Sequence, residues 1–226
     1  DAYNIAIGYD AGLNVTTGTN NVIVGGLAGD AITTGSENVA IGKDALSSED
    51  GGSGNVAIGF AALSTLDAGA DAYNVAIGRS AGAAMTSGLN NTVVGAFAGD
   101  ALTTGTDNVA IGYNALTSAQ EDTRNTAIGR GTLATQNGAG TAYNTALGYH
   151  AGALVTTAVR NTLIGGLSGD AITTGGDNVA LGYNTLTSNT IGNSNVAIGK
   201  DAMLQNVAAD RNVAVGLGAL QIFFFF

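Results

Sequence analysis

Nine residues in this chain combine aromatic faces and positive charge at one recurring place: Tyr9, Lys43, Phe60, Arg79, Tyr113, Arg130, Tyr149, Tyr183 and Lys200. Four of the seven basic residues are among them. Aromatic rings beside cations can bind glycan or an anionic surface polymer. They can equally pair with one another as cation–π contacts between neighbouring stretches of chain or between chains. The second, structural use is the favoured expectation, and the column is kept as a candidate contact surface.

Other chemistry is thin. The single histidine, His150, has no partner in the sequence pattern that would make it a base. There is no cysteine, so neither a disulfide frame nor a thiolate metal site exists. Asp30, Asp100 and Asp170 recur in the phrase Gly-Asp-Ala. If each 17-residue unit is one turn of a stack, they lie four turns apart, ~19 Å at the strand spacing, too far to share an ion. The expectation is therefore no catalytic residue, no cofactor and no metal site.

What must position the column is a repeat. The phrase Asn-x-small-aliphatic-Gly is written thirteen times, beginning at Asn4, Asn21, Asn38, Asn55, Asn74, Asn91, Asn108, Asn125, Asn144, Asn161, Asn178, Asn195 and Asn212. The spacing is 17 except for two steps of 19, Asn55 to Asn74 and Asn125 to Asn144. A fixed short period is the mark of a solenoid. With the Asn as position zero, +1 is Val, Ile or Thr, +3 is Ile, Val or Leu, and +4 is always Gly. The pattern predicts a short β-branched strand ended by a turn that a Cβ would obstruct. Stacked coils would bring the Asn side chains into a hydrogen-bonded ladder. The fold class expected is all-β: a parallel β-solenoid, or β-roll, of 13 coils with a 17-residue period. Residues 1–221 form the repetitive segment, and 222–226, Ile-Phe-Phe-Phe-Phe, fits no coil.

A super-repeat of 70 residues overlies the coil. Position +8 reads Gly12, Gly29, Leu46, Leu63, then Gly82, Gly99, Leu116, Leu133, then Gly152, Gly169, Leu186, Met203. Where +8 is Gly, +11 is apolar (Val15, Ile32, Met85, Leu102, Val155, Ile172); where it is Leu or Met, +11 is mostly polar or small. The two positions are expected to fill one core volume from different points on the coil.

Position +2 is Ala in ten coils and Ile23, Val93 and Leu163 in the other three. Taken as the strand's outer face, it would be a close-approach surface, and the three larger residues with Leu27, Phe97 and Leu167 at +6 would mark an apolar contact every four coils. On this argument an oligomer seam is expected at Ile23, Leu27, Ala40, Val93, Phe97, Ala110, Leu163 and Leu167. The alternative is that both faces are buried within the chain's own coil.

The net charge of −10 argues against a nucleic-acid partner. No apolar run approaches the ~20 residues a spanning helix needs, so membrane insertion by this segment is not expected.

The stretch Asn38-Val39-Ala40-Ile41-Gly42-Lys43-Asp44-Ala45-Leu46 resembles the head repeats of trimeric autotransporter adhesins, with their Ser-x-Ala-Ile-Gly-x-x-Ala pattern. It is also similar to the Asn-first repeats of bacteriophage tail fibres. The resemblance runs from Asn4 to about Leu220; the coil here is longer, and Asn replaces Ser. It implies a left-handed β-roll, three identical chains side by side, and a non-enzymatic role in surface attachment. The setting implied is extracellular, on a virion or a bacterial cell, with a surface glycan or protein as receptor. Two alternatives from other classes are a solenoid ice-binding protein, prompted by pairs such as Thr16-Thr17 and Thr173-Thr174, and a glycan-active fibre enzyme. Glu49-Asp50, Leu66-Asp67 and Gln120-Glu121 interrupt the threonine array.

Overall fold

The computed structural model describes residues 2–138 and 140–221. The terminal Phe run lies outside the described residues. Thirteen three-residue strands, all parallel, follow one another in chain order, and the described residues contain no helix. The chain is thus an all-β parallel solenoid with one strand per coil. It divides into two units, Asp1–Ile111 and Gly112–Phe226. The first holds β1 (Ile5–Ile7) through β7 (Val109–Ile111), and the second β8 (Thr126–Ile128) through β13 (Val213–Val215).

Register follows the repeat residue for residue. In the first unit Val22 pairs with Val39, Ile23 with Ala40 and Val24 with Ile41. In the second, Val179 pairs with Val196, Ala180 with Ala197 and Leu181 with Ile198. The asparagines lock it. The Oδ1 of Asn21 accepts from the backbone N–H of Asn38 (2.9 Å), while its Nδ2 donates to the Gly35 carbonyl (2.9 Å). Asn161 and Asn178 repeat this, with Asn178 N–H to Asn161 Oδ1 at 3.0 Å and Asn178 Nδ2 to the Gly192 carbonyl at 2.9 Å. The ladder passes unbroken through the 19-residue steps: Asn74 N–H reaches Asn55 Oδ1, and Asn144 N–H reaches Asn125 Oδ1, each at 3.1 Å. The two extra residues are therefore absorbed away from the strand. A buried amide with its donors and acceptors used stabilises the coil; one left unpaired would cost about 1–3 kcal/mol.

The corner after each strand needs Gly. Gly42 has φ +132°, and a Cβ there would sit 2.5 Å from the carbonyl oxygen of Gly59 in the next coil. Gly148 in the second unit has φ +136° and meets Gly165 in the same way. Both conformation and space forbid a side chain.

The interior is the finding that departs from expectation. Position +2 points inward. Ala40, Ala57, Ala110, Ala127, Ala180 and Ala197 are fully buried, and so are Ile23, Val93 and Leu163. The flanking +1 and +3 side chains face outward and are half-buried or exposed. The +8 glycines explain the three larger residues. A Cβ on Gly12 would meet the Ile23 Cδ1 at 2.9 Å; on Gly99, the Val93 Cγ1 at 2.9 Å; on Gly169, a Leu163 methyl at 2.7 Å. The +11 residues enter the same space: Ile32 Cδ1 lies 2.9 Å from the Cβ position of Gly29, and Ile172 Cδ1 2.8 Å from that of Gly169. Where Leu46, Leu63, Leu116, Leu133, Leu186 or Met203 fills +8 instead, that residue is itself buried. The expected exchange of volume between +8 and +11 is present, with +2 as its third member.

In the Leu coils the buried polar +11 residues close a turn. Glu49 accepts from Gly52 N–H (2.6 Å), Asn189 from Gly192 N–H (2.7 Å) and Asn206 from Ala209 N–H (3.0 Å).

Candidate functional site

The burial of +2 overturns the seam expected there. Ile23, Ala40, Val93, Ala110 and Leu163 fill the chain's own core and cannot touch a second chain. The alternation of a strand separates two faces but does not say which one is inside, and the small size of Ala was taken as a sign of approach by a neighbour. It reflects instead the narrow interior of a coil with so short a strand. Leu27, Phe97 and Leu167 at +6 are half-exposed corner residues with φ of 57–58°.

The face presented to the outside is formed by +1 and +3. In the first unit, Val22, Val39, Val56 and Val75 stack beside Val24, Ile41, Ile58 and Ile77, the last 38% exposed. In the second, Thr162, Val179 and Val196 stack beside Ile164, Leu181 (42% exposed) and Ile198. Each unit therefore carries an in-register ribbon of β-branched and aliphatic side chains that its own core does not cover. The signal was legible: +1 and +3 are more apolar and larger than +2 in nearly every coil.

The nine-residue column stands at the corner beyond the Gly. In the first unit it is closed upon itself. Lys43 lies over the Phe60 ring (5.9 Å), and Arg79 lies over both Phe60 (5.8 Å) and Phe97 (5.6 Å). Lys43 also pairs with Asp44 at 3.3 Å. In the second unit Arg130 lies over Tyr113 at 5.6 Å, while Tyr149 makes an edge contact with His150 (centroids 4.2 Å apart, 62°). Lys200 pairs with Asp201 at 3.6 Å. Tyr9 is exposed at the first coil.

A second aromatic column escaped the sequence analysis as a surface feature, although its signal, Ala-Tyr-Asn every 70 residues, was visible. Tyr73 lies against Gly54, whose Cβ would meet the ring at 2.7 Å. Seventy residues on, Arg124 replaces that Gly: it lies 5.6 Å over Tyr143 and donates from Nη1 to its hydroxyl at 3.0 Å. Further along that edge Arg160 grips Asp177 with both nitrogens, at 2.6 and 2.8 Å, which holds the Asp177 carboxyl below its usual range.

Carboxylates also gather where none was expected. Oxygens of Glu49, Asp50 and Asp67 lie within 4.8 Å of one another. Asp50 and Asp67 are 17 apart, so the stacking itself brings them together. Glu49 is buried; its oxygens accept from Gly52 and Ala68 N–H. Burial outweighs those bonds and raises its carboxyl above the ordinary value, with Asp67 and Asp50 adding to the rise. Asp122, seventy residues after Gly52, is the buried carboxylate of the second unit, accepting from Gln136 Nε2 (2.9 Å) and Gly138 N–H (3.0 Å). It lines a shallow pocket of about 60 Å³ with Thr141 and Thr157, room for a water or two. Asp30 and Asp170 each keep one buried oxygen without a hydrogen-bond partner, and burial raises the Asp170 carboxyl. His150 has the Tyr149 ring and the charge of Asp170 near it, and no nucleophile or second base among the described residues joins them.

Fold and surface together define a parallel β-solenoid repeat protein with an uncovered apolar strand face and a decorated corner. No protein-family model, curated protein or solved structure matches the chain.

Proposed function

We propose that this chain is a non-enzymatic structural segment of a fibre, built as a homotrimer and used for surface attachment. It would be part of a phage tail fibre or a bacterial adhesin, working on the virion or cell surface. The observation that carries the proposal is the outward ribbon at +1 and +3. The interior of each unit is complete without those side chains, yet they are Val, Ile, Leu and Thr rather than charged residues. An apolar strip repeated in register along a sheet marks an interaction surface. A straight, periodic strip fits identical copies laid side by side, each presenting the same residue at the same height. The seam therefore moves from +2 to +1 and +3. Net charge −10 keeps nucleic acid out of the partner list. No helix of the described residues is long and apolar enough to cross a membrane.

The threonines speak against ice binding. Thr16, Thr33, Thr156 and Thr173 donate their hydroxyls to carbonyls of the next coil at 2.9–3.2 Å, which spends the donors a lattice of water would need.

Light scattering decides the assembly. Three chains are expected for the wild type, and Leu181→Glu or Ile77→Glu should dissociate them while circular dichroism stays that of a β protein. A folded single chain in the wild type would sink the proposal.

A further inference from the structure

In the second unit the corner column keeps two rings open. Tyr149 and Tyr183 are 54% and 55% exposed. They occupy the same position two coils apart, ~9.6 Å along the stack. The column residue between them is Gly166, and a Cβ there would sit 3.5 Å from Tyr183 Cδ2 and 3.8 Å from its Cε2. The Tyr183 ring thus lies along the column, over the place a side chain would take. Its other face is bare: among the described residues no cation or second ring packs on Tyr183. Tyr149 is held on edge by His150, which orients it without covering it. Polar groups stand beside the rings. Asn184 donates to Asp201 Oδ1 at 2.8 Å, and Lys200 pairs with the same carboxylate.

We propose that Tyr149 and Tyr183 form a stacking platform for an extended, neutral polysaccharide. The assignment rests on reading the chain as an attachment fibre and names its receptor class. Three features select this ligand. The rings lie in line, with no deep pocket between them, so they fit a chain that runs along the surface rather than a small molecule. Tyrosine offers a broad apolar face with a hydroxyl at its tip, the complement of a sugar ring with a C–H face and a polar rim. The −10 charge of the chain disfavours a polyanion even with Lys200 nearby. Two coils span a disaccharide of an extended β-1,4-linked chain, so alternate sugars would meet alternate rings. The equivalent corner of the first unit cannot serve, because Lys43 and Arg79 already lie on Phe60.

The test is native affinity electrophoresis of the full chain in gels containing hydroxyethylcellulose, glycol chitin or polygalacturonate, with light scattering on the same samples. Retardation by hydroxyethylcellulose or glycol chitin is expected, with affinity falling about tenfold in Tyr149→Ala or Tyr183→Ala, the loss of roughly one stacked ring. The double variant should run unretarded, and Phe60→Ala should bind like wild type. No retardation by either neutral polymer, retardation by polygalacturonate alone, or full retention by the double variant would overturn the platform. An oligomeric chain that ignores both neutral polymers removes the platform and leaves the fibre. A single chain that binds them in a Tyr183-dependent way removes the fibre and leaves the platform.

Discussion

The two units are built on one coil and differ at its corner. In the first, the column Lys43, Phe60, Arg79 continues to Phe97 as cation on ring on cation on ring. In the second, Tyr149 and Tyr183 carry no cation, and Gly166 between them leaves room for the Tyr183 ring. The backbone under both is the same: the Asn ladder, the Gly corner and the strand register do not change. The lesson is that a solenoid separates framework from decoration. Positions that touch the next coil are constrained thirteen times over, whereas a corner position can satisfy itself or stay open without cost to its neighbours.

The comparison breaks most severely at the framework. Gly42→Ala and Gly148→Ala should each destabilise by roughly 3–5 kcal/mol, because each combines a strained φ with a clash against backbone that cannot yield. Denaturant titration should show the same cost in both units. A cost under ~1 kcal/mol in either would mean its corner is not the rigid element described. Core fillers come next. Ile23→Ala and Leu163→Ala should each cost about 2–5 kcal/mol, since each empties space that two +8 glycines depend on. Neither should change the oligomer's mass while folded; dissociation without unfolding would return +2 to the interface.

The buried carboxylates allow a test by pH. Glu49 is raised in the folded state, chiefly by burial, so the folded chain holds that proton more tightly than the unfolded chain. Its contribution is fully present below the ordinary Glu value of 4.5 and is lost as pH rises through the raised value. Asp177 has the opposite sign: its carboxyl is depressed by Arg160, so its stabilisation is present above the ordinary Asp value and is lost as pH falls through the lowered one. Melting temperatures across pH 4 to 7 should therefore fall less steeply in Glu49→Gln than in wild type. Parallel curves would show that Glu49 does not titrate in the fold. The finest effects concern the corner itself. Arg79→Ala should cost about 1 kcal/mol, through two lost ring contacts. Tyr183→Ala should stay within ~0.5 kcal/mol, as a surface change that leaves no partner behind. Equal costs would erase the distinction between a closed and an open column.

Sequence alone determined the parallel solenoid, its strand positions, the need for Gly at +4, the Asn ladder and the trade between +8 and +11. All of these are consequences of period: identical residues at identical heights must meet, so spacing is enough to pair them. It also placed the column of rings and cations, because +5 follows directly from the Gly corner. Only the tertiary structure decided which strand face is inside. Alternation in a strand has two phases and no sign, and the usual cue, polar outside against apolar inside, is absent when both faces are apolar. Small Ala at +2 then reads equally as a close-packed exterior or a thin interior. The coil's width settles it: Gly12, Gly29 and their counterparts leave space that Ile23, Val93 and Leu163 fill from within, and the larger side chains at +1 and +3 have nowhere to go but out. The grouping of Glu49 with Asp50 and Asp67, and the sparing of Tyr183 from any cation, likewise depend on how side chains fall across coils of unequal length, which no count of spacings contains.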